Sequence, residues 1–164
     1  MTSKKIRSGL AVVVATLALT LTGCAVTAVK PGTPREEVIA SYGKPTRVVP
    51  LSAGTRLQYS LQPLGRSAVM VDLDTNGRVT SAREVLTPGE FVKIVPGAWT
   101  RTDIEREFGP PAMVDRVMSW QGDIMTYRWT DAVTDMFFFV YLDPAQVVRR
   151  TGQAMEFRNL DYDL

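Results

Sequence analysis

The chain has 164 residues, 45% of them hydrophobic and 22% charged, a composition that fits a folded, water-soluble body of one or two small domains and excludes a disordered or collagen-like chain. It contains no histidine and one cysteine, which removes histidine triads, histidine-ligated metals and any internal disulfide. Its formal charge of +2 arises in the first residues: Lys4, Lys5 and Arg7 have no acidic counterpart there, so the remainder sets 16 of the 19 Lys and Arg against all 17 Asp and Glu, a net −1 that offers nucleic acid no basic field.

Those three cations precede an apolar run from Leu10 to about Leu21 that ends in Leu21-Thr22-Gly23-Cys24, the layout of a secretory signal. The run is short for a permanent span, which needs roughly 20 residues to cross about 30 Å of hydrocarbon, so removal is expected. Leu21 at minus three, small residues before the cut and Cys24 at plus one resemble the lipobox of bacterial lipoproteins. In that family the cysteine sulfur is diacylated and the peptide is cut before it. The resemblance implies a signal peptide over 1–23, a covalent lipid on Cys24 with no other cofactor, and a lipidated tether over 24–30. Several acyl chains, at about 0.8 kcal/mol per buried methylene, make a stable anchor. Ala25, where an aspartate would resemble the inner-membrane retention signal, implies the outer membrane and a body facing the periplasm. With its cysteine assigned to lipid, the chain has no thiolate for catalysis.

After the tether, "PGTPREEVIASYGKP" (31–45) predicts a helix, with Thr33 and Glu36 as a capping box around Pro34, and Gly43 and Pro45 as the stop. Strands are expected at Thr46 to Leu51, at "RLQYSLQ" (56–62), at the start of "VMVDLDTNGRV" (69–79) and from Arg78 to Val85, with Asp74-Thr75-Asn76-Gly77 as a turn. Thr87, Pro88 and Glu90 then announce a short helix over Glu90 to Val95. "PGAWTRTDIEREFGPP" (96–111) repeats the first helical pattern, with Thr100 and Asp103 at its start and Gly109 and Pro111 at its end. Strands follow at Asp115 to Trp120, "IMTYRWT" (124–130), "FFVYLDPAQVV" (138–148) and Val147 to Phe157.

The second series aligns with the first: Val38 with Ile104, Tyr42 with Phe108, Tyr59 with Tyr127, Leu73-Asp74 with Leu142-Asp143. The expected fold class is therefore α+β, as two tandem repeats (31–86 and 87–164), each of one or two short helices packed on a small antiparallel sheet.

"MFFFVYLD" (136–143) is apolar on both faces of an expected strand. In the first series Val69, Val71 and Leu73 form an aliphatic set expected to face the helices, leaving Asp72 and its set toward water. By register, Phe138, Val140 and Leu142 face inward in the second series. Phe137, Phe139 and Tyr141 are left on the outer face, beside Arg128, Thr126 and Thr130 if Met125, Tyr127 and Trp129 point in. Aromatic rings with an arginine nearby have the composition of a binding hot spot, so Phe137, Phe139, Tyr141 and Arg128 form the candidate protein-binding site. The competing expectation is that the first sheet, the 87–96 segment or the tail "EFRNLDYDL" covers these rings as core.

No catalytic or metal site is expected. Asp72 and Asp74 flank Leu73 and suit a turn better than paired acid–base work. "DLDTNG" lacks the spacing and closing glutamate of a calcium loop. Glu36, Glu37, Glu105 and Glu107 read as solvated helix faces, and Lys30, Arg35 and Lys44 as cations near the anchor.

Lipobox, short tether, "PGTPREEVIASYGKP", an aromatic strand and the "VDLDTNGRV" hairpin, in this order, resemble the SmpA/OmlA (BamE-like) family of small outer-membrane lipoproteins, over most of the mature chain and once per repeat. The resemblance implies a non-enzymatic protein-binding module in outer-membrane assembly or envelope integrity, with an envelope protein such as the β-barrel assembly machinery as partner. Tandem copies also look like the β-lactamase inhibitory protein architecture, whose two helix-plus-sheet repeats form a saddle that grips an enzyme. That implies the alternative, an inhibitor of a periplasmic or envelope enzyme. The chain departs from the inhibitor in its lipobox and missing disulfide cysteines, and from the lipoprotein family in its two repeats. None of either family's contact residues matches position by position, and none is carried over.

Overall fold

The computed structural model describes residues 29–157; the leader, Cys24 and the tether up to residue 28 lie outside the described residues. Helix α1 (Arg35–Tyr42) opens the described chain, followed by β1 (Arg47–Leu51), β2 (Gly54–Ser60), β3 (Ala68–Leu73) and β4 (Val79–Glu84), which pair antiparallel in that order. Helices α2 (Pro88–Phe91) and α3 (Arg101–Phe108) lead to β5 (Met113–Asp115), β6 (Ile124–Asp131), β7 (Thr134–Leu142) and β8 (Val148–Met155), the second antiparallel sheet.

Local chemistry explains where these elements start. Thr100 and Asp103 form the expected capping box at α3. The box expected from Thr33 and Glu36 does not form, and Pro34 is the N-cap of α1. Pro34 pairs with Arg78 in an isolated bridge, and the Thr33 carbonyl accepts the Val79 amide, so the backbone stays extended there until the helix begins. Proline at the first turn likewise moves α2 to Pro88–Phe91, ahead of the expected 90–95.

The fold class differs from the α+β expectation of a helix packed on its own sheet, twice. The protein is mostly β, two four-stranded antiparallel sheets with a few short helices. The physical reason lies in α3, which belongs to no single sheet. Its buried Ile104 and Phe108 share one core with Tyr127, Phe138 and Val140 of the second sheet and with Ala68 and Met70 of the first. Its last-turn carbonyls also accept bonds from the first sheet: Gln58 Nε2 donates to Glu105 O (2.9 Å) and Arg106 O (3.0 Å), and Arg56 Nη1 to Arg106 O (3.0 Å). Donors and a cation at a helix C-terminus satisfy its orphan carbonyls and its dipole. The face of the first sheet that carries Asp72 was expected in water; it is buried under α3 instead. On the opposite face of that sheet, α1 covers a smaller core of Val38, Leu57, Val71, Leu73 and Val79. The layers therefore run α1, first sheet, α2 with α3, second sheet.

Candidate functional site

Strand β7 reads "TDMFFFVYL", and strand geometry sends alternate residues to opposite faces. Phe138 (2% exposed), Val140 and Leu142 (both 0%) enter the shared core, whereas Phe137, Phe139 and Tyr141 are half-buried on the outer face. Pairing places Phe137 between Arg128 and Ala154, Phe139 between Thr126 and Gly152, and Tyr141 between Ile124 and Arg150. Because β8 offers only Gly152 and Ala154 beside the two phenylalanines, no bulky side chain screens the rings from that strand. The rings form a ladder with centroids 6.0 and 6.4 Å apart, the tilted spacing that aromatic quadrupoles favour.

Each end of the ladder is fixed. At the Tyr141 end, the Arg150 guanidinium lies 3.7 Å over the phenol ring and 5.3 Å from Trp120, whose Nε1 donates to the Leu142 carbonyl (2.8 Å). At the other end, Arg128 is engaged by the chain's own acceptors. Its guanidinium donates to both carboxylate oxygens of Glu156 and to the Pro63 carbonyl (2.9 Å). Its backbone amide donates to Gln62 Oε1 (3.1 Å), and its carbonyl accepts Gln62 Nε2 (2.7 Å). A side-chain amide thus takes the place of a neighbouring strand where β5 has already ended. Arg66 adds a bond to Glu156 (2.9 Å) and an ion pair with Asp135 (3.0 Å). Burial raises the Glu156 pKa, but bonds from Arg128 and Arg66 outweigh it and hold the carboxyl below its ordinary range.

The structure brings Phe137, Phe139 and Tyr141 onto one face and gives Arg128 the task of clamping the 61–66 loop at its edge. Thr126 is buried beneath its neighbours and Thr130 is exposed. Sequence reasoning missed Trp120, Arg150, Gln62 and Glu156. An arginine two residues before the small Gly152 was the one available signal, and it becomes meaningful only once the register is known. Cys24 lies outside the described residues.

Elsewhere the polar chemistry is structural. Asp72 accepts a fork from Arg56 Nε and Nη2 (2.6 and 3.0 Å) and a bond from Arg83 (3.1 Å). Burial raises its pKa, but the Arg56 fork followed by Arg83 brings it below the ordinary value. Asp74 Oδ1 accepts the Asn76 and Arg78 amides of its turn (2.8 and 2.9 Å). Glu105 and Glu107, expected as solvated charges, pair with Arg47, Arg101, Arg56 and Arg83. Carboxylates engaged by guanidinium groups suit cross-linking of layers better than proton transfer. Among the described residues no three His, Cys, Asp or Glu converge on a metal position, and no helix is long and apolar enough to cross a membrane.

No family model and no curated protein matches the chain. Among solved structures it is similar to a DUF4309 family protein, YjgB, from Bacillus subtilis subsp. subtilis str. 168, with 16% identity, 76% of this chain and 79% of that one covered, and a TM-score of 0.33. It is also similar to an extracellular protein containing an SCP domain from Bacillus anthracis str. Ames, with 12% identity, 95% of this chain and 50% of that one covered, and a TM-score of 0.31. At such scores neither likeness bears on function, which rests on the chain's own residues.

Proposed function

We propose that the protein is a lipid-anchored, periplasm-facing module of the outer membrane that binds an envelope protein and catalyses no reaction. The single observation behind the binding role is the ladder of Phe137, Phe139 and Tyr141, three adjacent rings half-buried on one sheet face instead of enclosed in the core. Contiguous aromatic surface of this kind characterises interfaces, and rigid rings flanked by an arginine make strong anchors because they lose little side-chain freedom on binding. The location comes from the lipobox around Cys24 and its resemblance to lipoprotein leaders, which also makes the β-barrel assembly machinery the first partner to examine.

Site-specific photocrosslinking from position 139 in intact cells, with mass spectrometry of the adduct, tests both parts when run on the native chain and on Cys24→Ser. An envelope protein captured by the native chain in the membrane fraction, and lost with membrane association in Cys24→Ser, supports the reading. Crosslinks confined to the chain itself overturn the interface. Cys24→Ser should release the chain or leave its leader uncut, and unchanged acylation together with unchanged fractionation overturns the anchor.

A further inference from the structure

The two sheets treat one position differently. In the second sheet, the row Tyr127–Phe138 is capped by Phe91 of α2, whose ring stacks on Phe138 (3.8 Å, 5° between planes), meets Trp129 edge-on (5.4 Å) and touches Phe108 (5.8 Å). The matching row of the first sheet is Tyr59–Val69, with Tyr42 of α1 standing where Phe108 stands and Leu61 where Trp129 stands. Helix α1 is only eight residues long, about 12 Å at 1.5 Å per residue, and Gly43 and Pro45 stop it there. Strand β2 has seven residues and spans about 23 Å, so α1 covers half of the face beneath it. Beyond its end lies a pocket of about 440 Å³ lined by Tyr42, Lys44, Tyr59, Leu61, Ser67 and Val69, mostly apolar and within the size range of ligand sites.

Two polar groups at this pocket lack partners. The Tyr59 hydroxyl is buried without a hydrogen-bond partner and presents no accessible surface to the pocket, so its ring rather than its oxygen lines the space. Lys44 is exposed at the rim and has no carboxylate partner among the described residues. An apolar wall beside an unpaired ammonium defines one chemistry. We infer that this pocket binds a small carboxylate with an apolar aryl or alkyl body, the body lying on Val69 and Leu61 where Phe91 lies in the second half, and the carboxylate at Lys44. The site is separate from the aromatic face and stands or falls independently of the proposed binding role.

Titration of the isotope-labelled full chain with 3-phenylpropanoate and with decanoate, followed by backbone amide shifts, tests the inference. Saturable shifts centred on residues 59, 61, 67 and 69 are expected for at least one probe. Lys44→Gln, an exposed substitution, should weaken that probe about two- to fivefold, the range for a solvent-exposed ion pair, and leave the neutral 3-phenylpropan-1-ol unchanged. Val69→Phe should abolish binding by filling the space, while resonances of the second sheet report that the fold persists. Absence of saturable shifts at millimolar probe, shifts centred on another region, or equal affinity in Lys44→Gln would each overturn it.

Discussion

Arg56 shows how one side chain joins layers that the sequence leaves unconnected. It is 5% exposed, forks onto Asp72 across the strand pair, and reaches α3 through the Arg106 carbonyl and the Glu107 carboxylate (2.7 Å). Burial disfavours its charge, yet bonds from Asp72 and Glu107 more than compensate and raise its pKa. Removing it takes the fork from Asp72 and a donor from Glu107 and the Arg106 carbonyl, leaving only Arg83, Arg106 and Gln58 to serve these half-buried groups. Arg56→Ala should therefore cost about 3–5 kcal/mol of unfolding free energy, the usual penalty for breaking a buried pair by one partner. Arg56→Lys should recover only a minor part, since an ammonium cannot make the planar fork. Urea denaturation of the three proteins checks this, and a loss below about 1 kcal/mol for the alanine variant would mean that the network is as weak as a surface pair. The alternation of "RLQYSLQ" was legible, and so was Asp72 on the opposite face from Leu57 and Val71. The destination of that polar face was not, because its cover arrives from a helix some fifty residues later and nothing in local periodicity encodes the docking.

At the scale of elements, legibility follows the range of the forces involved. Strand alternation, the Asp74 and Asp143 turns and the Thr100–Asp103 cap are settled within a few residues, and each appears where the sequence places it. The outer placement of Phe137, Phe139 and Tyr141 was readable for the same reason. The strand expected from Asp115 to Trp120 is instead a three-residue β5 at Met113–Asp115, and α2 starts early because a proline takes its first turn. Two glycines show a local rule that passed unnoticed. Gly54 opens β2 and Gly122 lies two residues before β6, with φ of +130° and +142°, and a Cβ at either would collide with the carbonyl oxygen of Leu73 or Leu142. Those carbonyls lie beside the bulges at Asp72/Leu73 and Tyr141/Leu142, so the approach is part of how each sheet bends. Gly122→Ala should destabilise the protein by about 1–3 kcal/mol or more, the collision with the Leu142 carbonyl adding to the backbone strain. Thermal unfolding beside a control such as Gly89→Ala, where a Cβ meets nothing within 4 Å, separates this strain from a general intolerance of alanine.

The layers of the molecule share apolar cores and are cross-linked by carboxylate–guanidinium contacts, and those contacts set how it responds to pH. Asp72, Glu105 and Glu156 are each raised by burial but brought lower on balance by arginine partners, and Asp123 is lowered chiefly by its bond from Arg116. A folded pKa below the unfolded one contributes stability that is present above the ordinary carboxylate range and is lost as pH falls through the depressed values. Tyr127 acts in the opposite direction. Burial pushes its phenol well above 10, and the neutral hydroxyl donates to the Gly109 carbonyl (2.8 Å) at the end of α3. Its contribution is complete below the unfolded pKa of about 10 and disappears as pH rises toward the folded value. Between these limits the chain has no histidine to titrate. The melting temperature should accordingly be flat from about pH 5 to 9, fall below about pH 4 and fall again above about pH 10. Tyr127→Phe keeps the ring and removes one ionising group, so it should shrink the alkaline limb to the part left by Tyr59, whose phenol burial also raises, and retain the acid one. Calorimetric melts across this range decide the matter: a transition near neutral pH, or an alkaline limb unchanged in Tyr127→Phe, would show that the stack is governed by other groups.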